Sequence, residues 1–88
     1  MKIKDGFMLR KMNEINIVVP VGKEVKNFNG YISLNETGTF FWEHLAKGCT
    51  EEELLKAVTC EYDIDEATAK QDVTTFIEKL KSENLLED

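Results

Sequence analysis

Few side chains in this sequence are equipped for chemistry: one histidine, His44, two cysteines, Cys49 and Cys60, and acidic clusters at Glu51-Glu52-Glu53 and Asp63-Ile64-Asp65-Glu66. A zinc site draws four ligands mainly from Cys and His, and this chain holds three such residues. The two cysteines are eleven positions apart, which fits neither a metal nor a redox motif, so both are expected as free, partly buried thiols. Asp63, Asp65 and Glu66 lack the ligand spacing and central glycine of a calcium loop. Like Glu51, Glu52 and Glu53, they suit the first turn of a helix, where the dipole favours negative charge. Gly30 and Gly38 are too far apart for a phosphate-cradling loop, and no Gly-Lys-Ser/Thr follows them. His44 falls on the apolar side of a helical repeat, which fits packing better than proton transfer. The expectation is a protein that is not an enzyme, with no catalytic residue, no metal and no cofactor.

Size points the same way. Eighty-eight residues make one domain, spanning 1–88, and leave no room for a second core or a cofactor domain. A chain of this length buries only about 60% of its unfolded surface, so a partner or a second copy is a natural source of added stability. Apolar residues make up 42% and charged residues 32%, the proportions of a globular protein. No apolar run approaches the roughly 18 residues of a membrane span. Met1–Gly6 has no apolar stretch behind it of the kind a secretory signal carries, so the expected compartment is the cytoplasm.

The elements that must position these residues change period half-way along the chain. Phe7–Met12 and Ile15–Val19 read as strands, joined by the two-residue turn Asn13-Glu14. Pro20-Val21-Gly22 stops the second strand, and Val25 and Phe28 are expected to anchor the loop that follows. Asn29-Gly30 turns into a third short strand, Tyr31–Leu34. From there the spacing is helical. Asn35 caps a helix with Thr37, Phe40, Phe41, His44 and Leu45 on one face, and Gly48 ends it. Thr50-Glu51-Glu52-Glu53 is a capping box for a second helix carrying Leu54, Leu55 and Val58. Asp65 caps a third, with Ala69, Val73, Phe76, Ile77 and Leu80 on one face as far as Ser82, and Leu85 and Leu86 fold the tail back onto the domain. The expected fold is an α+β, winged helix-turn-helix-like domain: a three-stranded antiparallel sheet followed by three helices.

Charge divides with the elements. Residues 1–49 hold seven Lys/Arg and five Asp/Glu, whereas residues 50–88 hold four and twelve, so a net +2 faces a net −8. A helix that reads DNA brings Lys and Arg to phosphates. The third helix instead sets three Lys against Asp65, Glu66, Asp72 and Glu78, with no Arg, which disfavours a winged-helix DNA regulator. Neither nucleic acid nor membrane is an expected partner. What remains is the sheet. An edge strand leaves N–H and C=O groups unpaired, and an extended peptide can add to them beside a helical wall. A structural oligomerisation subunit, or a homodimer closed through the same edge, is the alternative.

Asn29-Gly30-Tyr31-Ile32-Ser33-Leu34-Asn35-Glu36-Thr37-Gly38, followed by Phe41-Trp42-Glu43 and Leu45, resembles the PqqD family, named for PQQ biosynthesis protein D. Its Asn-Gly-x-aliphatic-x-Leu-Asn-x-Thr/Ser-Gly/Ala run is matched, with Trp42 four residues beyond Gly38. Val19–Gly22, Thr50–Leu54, Glu61–Asp65 and Asp72-Val73 with Phe76 and Leu80 agree, so the resemblance runs from Phe7 to Leu86. It implies a peptide chaperone that binds the leader of a ribosomally synthesised precursor peptide and presents it to a modifying enzyme, often a radical S-adenosylmethionine (radical SAM) protein. The leader would enter as a strand between the third strand and the third helix. On that resemblance Gly30, Tyr31, Ile32 and Ser33 supply the ladder, and Lys70, Val73, Thr74 and Ile77 line the helix. Nothing in the chain points to pyrroloquinoline quinone itself.

Overall fold

A computed structural model describes residues 1–26 and 30–87. The hairpin pairs β2 (Phe7–Met12) with β3 (Ile15–Pro20), and β3 pairs in turn with β4 (Ile32–Leu34), giving an antiparallel sheet of order β2-β3-β4. Asn13 and Glu14 both take positive φ, 49° and 70°, the conformation a two-residue hairpin turn demands and glycine would adopt with less strain. Three helices follow: α1 (Glu36–Lys47), α2 (Glu51–Glu61) and α3 (Glu66–Ser82). This is the α+β arrangement expected of the sequence.

Each helix starts where its cap dictates. Asn35 accepts the Gly38 N–H at 2.7 Å. Thr50 and Glu53 exchange side chain-to-backbone bonds at 2.8 and 3.0 Å, and Asp65 accepts the N–H of Thr68 at 3.1 Å. The far end of α3 closes with Asn84 at φ 62°, with Leu85 N–H donating to the Leu80 carbonyl and Asn84 N–H to that of Lys81. Those two bonds satisfy carbonyls that the helix would otherwise leave unpaired. They also turn Leu85 into the core.

Two features carry no local sequence pattern. Lys2–Ile3 (β1) pairs with Leu86–Glu87 (β5), so the two ends of the chain clasp each other. The Met1 ammonium and carbonyl hold Cys49 C=O and N–H at 3.0 and 2.9 Å, and Lys4 Nζ donates to Asn84 Oδ1 at 2.6 Å. The loop after β3 forms a 3₁₀ helix, η1 (Gly22–Lys26), which turns Val25 outward to 57% exposure, so Val25 is not the anchor expected. Phe28 and Asn29 lie outside the described residues. Strand β3 runs one residue further than expected, with Pro20 opposite Phe7, because its last position needs no ladder donor.

One core joins the layers. Val18, Ile32 and Leu34 on the inner sheet face meet Phe41, Trp42 and Leu45 of α1, Leu54 and Val58 of α2, and Ala69, Val73, Ile77 and Leu80 of α3. Phe76, expected on that stripe, is half-buried at its margin.

Candidate functional site

Among the described residues β4 has β3 as its one strand neighbour, and no strand pairs with its other edge. Against that edge lies a groove. Ser33, Leu34, Asn35, Gly38, Phe76 and Lys79 line one hollow of about 340 Å³. Asn35, Thr37, Gly38, Phe41, Gln71, Asp72, Thr75, Phe76 and Lys79 line a second of about 300 Å³. The two share Asn35, Gly38, Phe76 and Lys79, which makes them one continuous channel between β4, the start of α1 and a flank of α3.

Local sequence explains the channel's shape. The backbone leaves β4 at Leu34 and enters α1 through the Asn35 cap, so strand end and helix start form one wall. Gly38 keeps that wall low. A Cβ there would stand 3.1 Å from Asn35 Oδ1, the atom already committed to the cap. The floor is aromatic: the Phe41 and Phe76 rings stand 5.3 Å apart at 56°, with Phe41 buried and Phe76 half-open. Asp72 and Lys79 bring one charge of each sign to the α3 side. Such a site offers backbone hydrogen bonds along one wall and an apolar floor below.

No acid–base relay lines it. Its hydroxyls belong to Ser33, Thr37 and Thr75, and no histidine or cysteine is among the lining residues. His44 sits elsewhere on α1, its ring 4.4 Å from Phe40, which in turn packs edge-on to Tyr62 at 5.4 Å. Cys60 is an exposed free thiol, and burial together with nearby Glu53 pushes the Cys49 thiol above its ordinary range. Among the described residues no cluster of three or more His, Cys, Asp or Glu is placed to hold a metal, and no helix is long and apolar enough to cross a membrane.

The residues expected at the site are divided. Ser33 is exposed and lines the groove. Ile32 turns into the core, and Gly30 is an exposed bend at φ 85°. Tyr31 stands just ahead of β4 and not within it, at 65% exposure. On α3, Val73 and Ile77 are buried core residues. Lys70 and Val73 border a separate hollow of about 320 Å³ with Glu51, Glu52 and Leu55 of α2, which no β4 residue lines. Thr74 is half-buried and lines neither groove hollow. On α3, Phe76 and Lys79 share a hollow with Ser33 and Leu34 of β4, and together with Asp72 and Thr75 they line the adjoining hollow beside the start of α1; the sequence reading selected none of the four for the site. Those positions follow an i, i+3, i+4, i+7 spacing of their own, a second stripe beside the core stripe. Periodicity marks both stripes and does not say which flank turns toward the strand.

Residues 16–86 match the family described as Coenzyme PQQ synthesis protein D (PqqD). The chain belongs to the PqqD family. Among solved structures, TbiB1 in complex with the TbiA(beta) leader peptide is similar to this PqqD-family chain with a TM-score of 0.79 and 26% identity, covering 99% of this chain and 95% of that one. Lasso peptide synthetase B1 complexed with the leader peptide gives a TM-score of 0.77 over 99% and 96% of the two chains, and at 15% identity it speaks to the fold alone. No curated protein matches the chain.

Proposed function

We propose that this PqqD-family protein is a non-catalytic peptide chaperone. It takes the leader of a ribosomally synthesised precursor peptide as an added strand on β4, seats it against the Phe76 flank of α3, and presents it to a peptide-modifying enzyme of the radical SAM type or another class. The observation that carries this reading is the β4 edge, paired with no strand among the described residues, running beside a groove with an aromatic floor. Strand addition draws affinity from the backbone ladder and selectivity from the pocket under alternate side chains. The presence of a leader peptide in the TbiB1 structure supports the same reading. A compartment where precursor peptides are made, the cytoplasm, fits this role.

Ser33→Pro tests it. Proline removes a strand N–H and places a ring where the ladder must run. Affinity for a synthetic leader, read by calorimetry, is expected to fall more than tenfold, about 1.4 kcal/mol, while the helical far-UV signal persists. Unchanged affinity would take β4 out of the site.

A further inference from the structure

The groove beside β4 is not electrically uniform. Lys79 lines both of its hollows, and in the hollow against the strand it is the one charged side chain among the lining residues. Asp72 enters only in the adjoining hollow, beside the start of α1. Seven positions separate the two on α3, about 10 Å of helix, so one end of the groove is cationic and the other carries both signs. Among the described residues no carboxylate pairs with the Lys79 ammonium. The ladder beside it is short. Strand β4 spans three residues, so a peptide added there makes only a few backbone hydrogen bonds, and almost any sequence can make them. Discrimination among peptides then falls to the side chains that enter the groove.

We infer that the groove selects a leader that sets a carboxylate, from Asp or Glu, against Lys79. An added strand turns alternate side chains toward the helix layer. The one that reaches the hollow against β4 meets the Phe76 ring, the end of the strand and a single unpaired ammonium. A carboxylate gains a charge-assisted hydrogen bond there, whereas Lys or Arg meets a like charge. Asp72 fixes the place, because a carboxylate in the adjoining hollow would face it. This selection runs against the charge of the whole molecule. The protein carries net −6, which draws basic peptides at long range, so an acidic preference has to come from the groove itself. The inference rests on the reading of the chain as a leader carrier and names the kind of residue the carrier recognises.

The test is calorimetry of the full chain with the synthetic leader of its own precursor, at low salt, where an exposed charge pair is least screened. Each Asp of that leader is replaced in turn by Asn and each Glu by Gln. One such replacement is expected to weaken binding to the parent about three- to tenfold. In Lys79→Gln the same replacement is expected to change nothing, because the charge it answered is gone. Lys79→Glu is expected to reverse the parent's order and prefer the leader bearing Lys at that position. Lys79 is exposed, so both variants should keep the parent's melting temperature. A leader whose acidic residues can all be replaced without loss, or that has none and binds, overturns the selection while leaving leader capture standing. An equal loss in the parent and in Lys79→Gln also overturns it, by placing the carboxylate elsewhere. A parent that binds no leader overturns the carrier reading beneath it.

Discussion

Among the described residues, five large apolar side chains stand exposed between Met8 and Tyr31, whereas the three helices from Glu36 to Ser82 expose none. The helical half is closed on itself by caps at Asn35, Thr50 and Asp65, by a chain reversal at Asn84, and by Leu45, Leu54, Val58 and Leu80, all essentially inaccessible. Among the described residues, β2 and β4 each pair with one strand, and Met8, Met12 and Ile15 stand exposed on the sheet. Net charge divides the same way: residues 1–35 hold six Lys/Arg and three Asp/Glu, a net +3, and residues 36–88 hold five and fourteen, a net −9. The contrast teaches that stability and recognition are kept apart: the helices make a platform, and the strands are left open to other chains. The groove lies on the seam, with β4 on one side and α3 on the other.

Substitutions that break this division are expected to have graded effects. Leu80→Ala, at the centre of the platform, should cost about 2–5 kcal/mol in urea unfolding, because Leu80 is 1% exposed and touches the shared core. Phe76→Ala, on the seam, should cost less, about 1–3 kcal/mol given its partial burial. It should also weaken leader binding by tenfold or more in the same preparation. A loss of stability with full leader affinity would move the peptide off the α3 flank.

Sheet-half substitutions should be milder. Glu14→Gly relieves a side chain held at φ 70° and is expected to add about 0.5–1 kcal/mol, a rise of roughly 2–8 °C in melting temperature. Met12→Ser, at 57% exposure, should stay within about 0.5 kcal/mol of the parent. A much larger loss would show that the outer face is already covered within the monomer.

The smallest effect concerns acid. Hydrogen bonds from Thr50 hold the Glu53 carboxyl below the ordinary carboxylate range, and those from Thr68 do the same for Asp65. A carboxyl depressed on folding contributes stability that is present above its unfolded pKa, about 4, and is lost as pH falls through the folded value. Thermal melts of the parent should therefore weaken below about pH 4. Asp65→Asn keeps a good N-cap and should flatten part of that slope.

Much of this arrangement was legible in the residues. Alternation of Ile15–Val19 and the helical spacing from Thr37 to Leu80 are local signals, and so are the three caps, because each is set by side chains within one turn. The β1–β5 clasp was not legible, since two-residue strands at opposite ends of the chain have no period and meet only in the folded state. Val25 misled for a similar reason: an apolar residue in a loop implies cover, but η1 turns it to solvent. The groove was half visible. Ser33, Lys70 and Thr74 all entered through the family resemblance, and seeing that Ser33 lines the groove while Asp72, Thr75, Phe76 and Lys79 line it from α3 requires knowing how α3 is rotated against β4 and α1. That rotation is set by packing against α1 and α2, not by α3's own sequence.

The central claim is that a leader peptide lies between β4 and the Phe76 flank of α3. Amide chemical-shift titration of the isotope-labelled protein with its synthetic leader tests it most directly. The expected perturbations fall on Ile32–Leu34 and on Asp72, Thr75, Phe76 and Lys79. Shifts confined to Glu51, Leu55 and Lys70 around the α2 hollow, or no shifts at saturating peptide, would contradict it.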